Sequence, residues 1–240
     1  MTATPQTAFV LAAGLGQRMR PLTDTIPKPM VTLGGRPLID HVLDRLAAAG
    51  VTRAVVNVHY KAEPLIAHLK TREIPHIELS DERAELLDTG GGAAKALPLL
   101  RTGPFFIHNS DTVWIEYRVA NLERLAAAWD PSRMDALLLL ARRDTALGYD
   151  GKGDFHLLED GRLRRRSDDV AGYVFAGVSI ADRQLFRSAP DGAFSLNLVW
   201  NHALAAGRLF GLPLDGEWMH IGTPQALDDA EKHLLTAGLR

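Results

Sequence analysis

The chain has 240 residues and a formal net charge of −2, with 46% hydrophobic and 23% charged residues, which are ordinary globular proportions. Because this charge gives no bulk positive field, nucleic acid and acidic membrane surfaces are not expected as partners. The sequence contains no cysteine, which excludes disulfides, thiolate metal sites and cysteine nucleophiles. It has neither a basic leader with an apolar core nor a run of about 18 apolar residues. We therefore expect a cytoplasmic protein without a membrane span.

The first 110 residues alternate between predicted strands and helices. Since parallel strands need crossover helices, this alternation favours a mostly parallel sheet with helices on both faces. Ligands of such sheets bind beyond the carboxyl ends of the strands. In chain order the elements are strand 8–13, helix 37–49, strand 54–58, helix 63–70, strand 74–79, a glycine turn and helix within 88–100, and strand 105–109.

The second half of the chain has less regular patterns. It contains no internal repeat and no linker, so we expect a single domain over 1–240 with an elaborated second half. The predicted elements are strands 135–142, 153–158 and 171–180, a hairpin turn at 159–163 with an Asp-Gly signal, and helices 195–206 and 224–237.

A glycine-rich turn follows the first predicted strand, in the string LAAGLGQRMRPLTDTIPKPM. Gly14 and Gly16 leave no side chain between backbone and ligand, and loop amides can bind phosphate oxygens. Arg18 could add a planar phosphate clamp, and Lys28 a compact positive charge. The spacing fits neither the P-loop nor the dinucleotide fingerprint. From these residues alone, an ordinary turn with two surface cations remains an alternative.

The longer string closely resembles the N-terminal signature of the sugar-phosphate nucleotidyltransferases, L-A-A-G-x-G-x-R followed by P-L-T and P-K-P. The resemblance implies a Rossmann-like three-layer α/β/α nucleotidyltransferase fold with a mixed, mostly parallel central sheet. It implies a nucleotide-binding half over 1–115 and a sugar-phosphate-binding half over 116–240. In this family Arg18 would grip the triphosphate and Lys28 would contact the reacting phosphate. The implied nucleotide-binding backbone comprises Leu11, Ala12, Ala13, Gly14 and Gly16.

An acidic residue, Asp111, ends the apolar string FFIHNSD. Mg²⁺ prefers oxygen ligands and often takes only one or two carboxylates, with phosphates and water completing its shell. A turn-forming aspartate is the alternative. The family carries a matching aspartate, which implies that Asp111 binds Mg²⁺, with Mn²⁺ as an alternative ion. Asn109 and Ser110 would shape the turn, and Asn109 would face the sugar.

One position departs from the family pattern. Many members carry a second aspartate in a W-x-D-x-G-T string, whereas this chain reads EWMHIGTP, with His220 at that position. Imidazole is a poor ligand for Mg²⁺ and a better one for Mn²⁺, Zn²⁺ or Co²⁺. Three roles stay open: His220 binds a softer metal, it bonds a phosphate or a metal-bound water, or Asp111 holds the metal without it.

A second glycine turn, DTGGG, opens the helix within 88–100, and its amides could bond a nucleobase edge. The implied base contacts are Thr89 and Gly90. With KALPLL, YVFAGVSI and WMHIGTP, the string resembles the N-acetylmuramate-1-phosphate uridylyltransferase branch of cell-wall recycling. This implies UTP and N-acetylmuramate 1-phosphate as substrates. Gly177 matches a glycine that faces the sugar, with a strand bulge as the alternative. Arg165 could hold the lactyl carboxylate, with a solvated hairpin as the alternative.

These resemblances imply nucleotidyl transfer from an NTP to a sugar 1-phosphate, with pyrophosphate released. The implied catalytic residues are Arg18, Lys28 and Asp111. A mannose-1-phosphate guanylyltransferase-like enzyme and a non-catalytic nucleotide-sugar-binding regulatory protein remain alternatives. The sequence gives no prediction of the oligomeric state.

Overall fold

The computed structural model describes residues 4–167 and 169–238. The strands in this part of the chain are β1 (Thr7–Leu11), β2 (Thr32–Leu33), β3 (Arg36–Pro37), β4 (Arg53–Val58), β5 (His76–Asp81), β6 (Phe105–Asn109), β7 (Thr112–Glu116), β8 (Ala136–Arg142), β9 (Phe155–Leu157), β10 (Leu163–Arg165), β11 (Tyr173–Ala181), β12 (Leu209–Pro213) and β13 (Gly216–His220). The α-helices are α1 (Leu38–Ala48), α2 (Ala62–Leu69), α3 (Asp88–Ala96), α4 (Asn121–Ala128), α5 (Leu196–Ala205) and α6 (Pro224–Thr236).

The central sheet is parallel in its first half and mixed beyond it. β1 lies between β4 and β6 and is parallel to both, and β5 continues the parallel order beside β4. β11 then pairs antiparallel with β6 and β8, and β12 pairs parallel with β8. The predicted mixed sheet is therefore confirmed. Because β1, β4 and β6 run in the same direction, their carboxyl ends meet at one edge.

Helices cover both faces of the sheet because its strands carry apolar side chains on both faces. In β1, Ala8 and Val10 join the core beneath α1, α2 and α4, whereas Phe9 joins the core beneath α3 and α5. In α1, Leu38, Ile39, Val42, Leu43 and Leu46 are fully buried, a spacing that places them on one side of a helix. The result is the expected three-layer arrangement.

A separate antiparallel pair, β7 with β13, packs beside the sheet and against α6. The sequence patterns did not predict these two strands, α4 or β12. β7 follows β6 after a turn of only two residues, Ser110 and Asp111, and the pairing joins Thr112 to His220. The small sheet thus brings a segment near the C-terminal end of the described chain to the carboxyl end of β6. None of the helices in the described ranges combines the length and apolar character that crossing a membrane requires.

Candidate active site

A pocket of about 290 Å³ opens at the carboxyl ends of β1, β4 and β6. It has the position expected for a ligand site in an open α/β sheet. Its lining comes from the glycine loop, the segment around Lys28, the start of α3 and the turn after β6: Leu11, Ala12, Ala13, Gly14, Lys28, Pro29, Asn57, Glu82, Leu86, Asp88, Thr89, Asn109, Ser110 and Asp111. The glycine loop and Asp111 thus meet in one crevice.

Lys28 and Asp111 form an ion pair in this pocket. Lys28 Nζ lies 2.7 Å from Asp111 Oδ2, and the two side chains are 13% and 21% exposed. Burial raises the pKa of Asp111, but the Lys28 charge, the His220 ring and the Lys28 hydrogen bond together bring it below its usual value. The carboxylate is therefore ionised at neutral pH. Its second oxygen, Oδ1, is buried and accepts no hydrogen bond from any described residue.

The first two amides of the glycine loop are already bonded within the protein. Ala12 N and Ala13 N donate to Asn57 Oδ1 over 2.6 and 3.2 Å. Because these amides bond a side chain instead of a neighbouring strand, β1 ends at Leu11 and not at residue 13 as predicted. The nucleotide-binding role predicted for Ala12 and Ala13 cannot rest on these two amides in this conformation.

The amides of Gly14, Leu15 and Gly16 meet no acceptor in the described chain. The φ of Gly14 lies outside the left-handed region, and a Cβ built on it would meet nothing within 4 Å. Neither backbone conformation nor protein packing thus requires glycine at this position. The open space beside Gly14 lies on the pocket, where a phosphate could approach the backbone closely.

Gly16 has a different, conformational reason to be glycine. Its φ is +63°, and an added Cβ would lie 3.0 Å from a methyl group of Thr23 and 3.3 Å from Lys28 Cβ. The Thr23 hydroxyl donates to the Gly16 carbonyl over 2.8 Å. These contacts fold the following chain back onto the loop and bring Lys28 to the pocket.

Arg18 and His220 lie beside each other at the side of the glycine loop, outside the set of residues that line the pocket. A Cβ built on Gly222 would lie 2.7 Å from His220 Nε2 and 3.5 Å from an Arg18 guanidinium nitrogen. Arg18 is exposed and forms no ion pair or hydrogen bond with a described side chain, so its guanidinium is available to an anion.

The His220 ring stacks on Trp218, with ring centroids 5.8 Å apart. Burial lowers the pKa of His220; Asp111 raises it, and Lys28 and Arg18 lower it further, leaving it below its usual value. The ring is therefore neutral at pH 7, and one of its nitrogens carries a lone pair. The segment that carries the ring lies beside Asp111, because Ile221 N donates to the Asp111 carbonyl over 3.1 Å.

The triple glycine at the start of α3 has a packing role, and two of its amides are bonded within the protein. Gly90 N and Gly91 N donate to the Phe194 carbonyl over 2.8 and 3.1 Å. Cβ atoms on Gly90, Gly91 and Gly92 would collide with Phe194, with the Gly192 carbonyl and with the Asn57–Glu82 pair, respectively. Gly90 is buried and does not line the pocket.

Thr89 and Asn109 do line the pocket, whereas Gly177 and Arg165 do not. Thr89 Oγ1 accepts from Leu196 N over 2.9 Å. Gly177 lies at a bulge of β11 with φ +85°, and Thr112 occupies the space of its missing side chain at 2.7 Å. The strand bulge, which was the alternative to a sugar-facing role for Gly177, is therefore present.

Arg165 belongs to the β9–β10 hairpin and donates to Asn197 Oδ1 over 3.1 Å. Its guanidinium lies 4.8 Å from the centre of the Phe155 ring. The buried Nε has no acceptor in the described chain, and Arg165 forms no ion pair there. A partly buried guanidinium of this kind is suited to an anionic ligand.

Two pocket residues, Asn57 and Glu82, were missed from the sequence. They are 1% and 0% exposed, and Asn57 Nδ2 donates to Glu82 Oε1 over 2.7 Å. The available signal was a polar residue within each apolar or strand-like segment, AVVNV and IELSDE. Such residues need buried partners, but the sequence alone does not say which partners they find.

Comparisons with known proteins agree with this architecture. The model of the MobA-like NTP transferase domain matches residues 8–210. The chain is 48% identical over 242 residues to N-acetylmuramate alpha-1-phosphate uridylyltransferase of Caulobacter vibrioides, covering 99% of this chain and 100% of that protein. It is 35% identical over 228 residues to the enzyme of the same name from Neisseria meningitidis, covering 93% and 96% of the two chains.

A mannose-1-phosphate guanyltransferase of Schizosaccharomyces pombe is 43% identical over 227 residues, but the match covers only 61% of that longer protein. Among solved structures, the inositol-1-phosphate CTP transferase from T. maritima has a TM-score of 0.78 at 20% identity, with both chains fully covered. An apo UDP-glucose pyrophosphorylase has a TM-score of 0.80 at 14% identity, covering 98% of this chain. At these identities the two structures establish the fold alone. The chain belongs to the MobA-like NTP transferase domain family, and the prediction of a sugar-phosphate nucleotidyltransferase is confirmed.

Proposed function

We propose that this protein transfers the uridylyl group of UTP to N-acetylmuramate 1-phosphate, giving UDP-N-acetylmuramate and pyrophosphate in cell-wall sugar recycling. The observation that carries the proposal is the 48% identity to the Caulobacter vibrioides enzyme, which extends over both chains. The proposed location is the cytoplasm, where UTP is available. Residues 1–240 would form one domain, in which 1–115 bind the nucleotide and 116–240 bind the sugar phosphate.

The reaction requires that the two substrates are positioned and that their phosphate charge is neutralised. The attacking oxygen of a sugar 1-phosphate is already an anion, so it needs no general base. It forms a bond to the α-phosphorus of UTP as the bond to the pyrophosphate oxygen breaks. Lys28 neutralises charge on the transferred phosphoryl group. Arg18 and the free amides of Gly14, Leu15 and Gly16 bind the leaving pyrophosphate.

The residues present fit a Mg²⁺ ion. Asp111 Oδ1 is a buried, ionised oxygen without a partner in the described chain, a suitable ligand for a hard cation. A metal held with triphosphate oxygens would supply further neutralisation of phosphate charge. The described residues contain no group of three or more acidic, histidine or cysteine side chains placed to hold a metal ion, so Asp111 would share the ion with phosphates and water, and with His220 if Mn²⁺ is bound.

Titrating the nucleotide-free protein with Mn²⁺, followed by electron paramagnetic resonance, tests the role of His220. We expect His220→Ala to weaken Mn²⁺ binding and His220→Asp to restore it and to favour Mg²⁺. Unchanged Mn²⁺ binding by His220→Ala would exclude His220 as a ligand.

On the sugar side, the proposal assigns Asn109 and Gly177 to the sugar and Arg165 to its lactyl carboxylate. Support for Arg165 comes from its guanidinium, which forms no ion pair in the described chain and whose buried Nε has no acceptor there. It also lies close to the pocket, because its partner Asn197 follows Leu196, which bonds pocket-lining Thr89.

Pyrophosphate release from each of the four NTPs with a panel of sugar 1-phosphates tests the function. UTP with N-acetylmuramate 1-phosphate should be turned over fastest. Fastest release from GTP with mannose 1-phosphate would replace the proposal by the guanylyltransferase alternative, which the Schizosaccharomyces pombe relative favours. Nucleotide-sugar binding without any release would indicate a non-catalytic protein.

A further inference from the structure

A buried amide–carboxylate pair, Asn57 with Glu82, joins two segments that line the pocket. Asn57 Oδ1 accepts from Ala12 N and Ala13 N, at the start of the glycine loop. Asn57 Nδ2 donates to Glu82 Oε1, and Glu82 Oε2 accepts from Leu87 N over 3.3 Å. One continuous set of hydrogen bonds therefore runs from the glycine loop to the segment that precedes α3.

The pair is fully enclosed and has a fixed polarity. Both side chains are at most 1% exposed, and a Cβ on Gly92 would lie 2.8 Å from Glu82 Oε1 and 2.9 Å from Asn57 Nδ2. Glu82 forms no ion pair in the described chain, so hydrogen bonds alone satisfy its carboxylate. Because a carboxylate only accepts, Glu82 forces Asn57 to turn its amide group toward it and its oxygen toward the loop.

This polarity also determines which loop amides remain for a ligand. Ala12 N and Ala13 N are occupied, whereas the next three amides are free of described acceptors. The pair thus holds the first turn of the loop against β4 and leaves the following amides without a described acceptor. It also fixes Leu87, the neighbour of pocket-lining Leu86 and Asp88.

We propose that Asn57 and Glu82 are positioning residues for the nucleotide: together they set the spacing between the glycine loop and the segment before α3. The inference rests on the proposed function, since it assigns these two segments to the NTP. Substitutions that break the hydrogen bond between Asn57 and Glu82 should therefore weaken binding of the NTP much more than binding of the sugar 1-phosphate.

An exchange of the two functional groups provides the test. Asn57→Asp alone places two carboxylates against each other. Glu82→Gln alone replaces one carboxylate oxygen by an NH₂ group, so the side chain can no longer accept from both Asn57 Nδ2 and Leu87 N. The double variant, Asn57→Asp with Glu82→Gln, restores every bond. The carboxylate introduced at position 57 accepts from the loop and from the amide group introduced at position 82, and the oxygen of that amide accepts from Leu87 N.

We expect each single variant to raise the KM for UTP about tenfold or more, with the KM for the sugar 1-phosphate changed less than about threefold. The double variant should return to within about threefold of the wild type. Isothermal titration with UTP gives the same comparison without turnover. If both single variants keep the wild-type KM and affinity for UTP, or if the double variant is as impaired as the two single changes combined, the positioning role is wrong.

A second Asn–Glu pair, in which the Asn is buried and the Glu is partly buried, provides a control for lost stability. Asn121 is 0% exposed and donates to Glu116, at the end of β7 remote from Asp111. Glu116→Gln should lower the melting temperature as Glu82→Gln does, but leave the KM for UTP unchanged. An equal rise of that KM in Glu116→Gln would mean that instability causes the effect, and would overturn the proposal. Failure of the proposed function is distinguishable, since the wild type would then prefer another NTP or release no pyrophosphate.

Discussion

Lys28 Nζ and Asp111 Oδ2 lie 2.7 Å apart, although 83 positions separate the two residues in the chain. Lys28 reaches this point through the turns that follow the glycine loop, and Asp111 through the two-residue turn between β6 and β7. Without a ligand each charge stabilises the other. With a triphosphate in the pocket, the same two charges would face phosphate oxygens and a metal ion.

Loss of either member of this pair should remove most of the activity. We expect Lys28→Met and Asp111→Asn each to lower kcat/KM for UTP at least about a hundredfold, the scale of one lost electrostatic stabiliser. Steady-state pyrophosphate release measures the effect. Asp135→Asn removes an ion pair of equal length, with Arg208, that lies outside the pocket and should leave turnover within about twofold. Near-normal turnover in Lys28→Met would refute its role.

Substitution of Gly14 should separate ligand binding from folding. Because its Cβ would meet no protein atom and its φ is not left-handed, Gly14→Ala should melt within about 2 °C of the wild type. The new methyl group would occupy the space beside the loop amides and raise the KM for UTP about tenfold. Gly16→Ala should instead destabilise the protein by about 1 kcal/mol, since its φ of +63° is left-handed. A wild-type KM in Gly14→Ala would place the phosphates elsewhere.

Arg18 and Arg20 form a matched pair of neighbouring arginines. Arg20 lies 3.3 Å from Asp24 in an exposed ion pair, whereas Arg18 has no described partner. We expect Arg18→Met to lower kcat/KM about a hundredfold and to weaken inhibition by added pyrophosphate, with Arg18→Lys intermediate. Arg20→Met should change neither quantity measurably. Equal effects of the two methionine variants would indicate a general loss of positive charge.

The role proposed for Arg165 concerns substrate choice. Wild-type protein should prefer N-acetylmuramate 1-phosphate to N-acetylglucosamine 1-phosphate, which lacks the lactyl carboxylate. Arg165→Met should reduce that preference about tenfold or more, with turnover of the second substrate unchanged. The exposed neighbour Arg164 provides the control. If the ratio of the two kcat/KM values is the same in Arg165→Met as in the wild type, another group binds the lactyl carboxylate.

His108 should make the stability depend on pH. Its ring is fully buried beside Trp114, and burial lowers its pKa from 6.5 to about 4, despite the Asn109 carbonyl bond that raises it. Between these values the unfolded chain binds a proton that the folded protein does not. The free energy of unfolding therefore falls as the pH drops below 6.5, by about 3 kcal/mol near pH 4.

Urea unfolding at about pH 7.5 and about pH 5 measures this dependence. His108→Phe keeps a ring beside Trp114 but removes the titrating group, so its stability should fall less over the same interval. An equal fall in wild type and variant would contradict the assignment to His108.

The sequence predicted the elements that position the pocket because they are long or continuously apolar. The strand FFIHN begins as a continuous apolar run and is buried on both faces, whereas the helix LIDHVLDRLAA has apolar residues at helical spacing; both elements form where they were predicted. β7 and β13 were missed because they form a separate pair whose register depends on a contact between distant parts of the chain. Nothing local in either segment specifies that contact.

The interpretation of individual glycines was less secure for a related reason. The same residue type leaves open space beside the pocket at Gly14, adopts a left-handed backbone conformation at Gly16 and allows close protein packing at Gly90. Only the neighbouring atoms distinguish these cases. Asn57 and Glu82 illustrate the same limit, because a buried polar residue is informative only once its partner is known.

The most direct test of the proposed reaction is phosphorus NMR of the wild-type protein mixed with UTP, N-acetylmuramate 1-phosphate and Mg²⁺. We predict that the signals of both substrates decay together. Signals of pyrophosphate and of the diphosphate group of a UDP-sugar should replace them, with the two products in equal amounts. We also predict that Asp111→Asn leaves the spectrum nearly unchanged over the same time. Unaltered substrate signals in the wild type would contradict the proposed reaction.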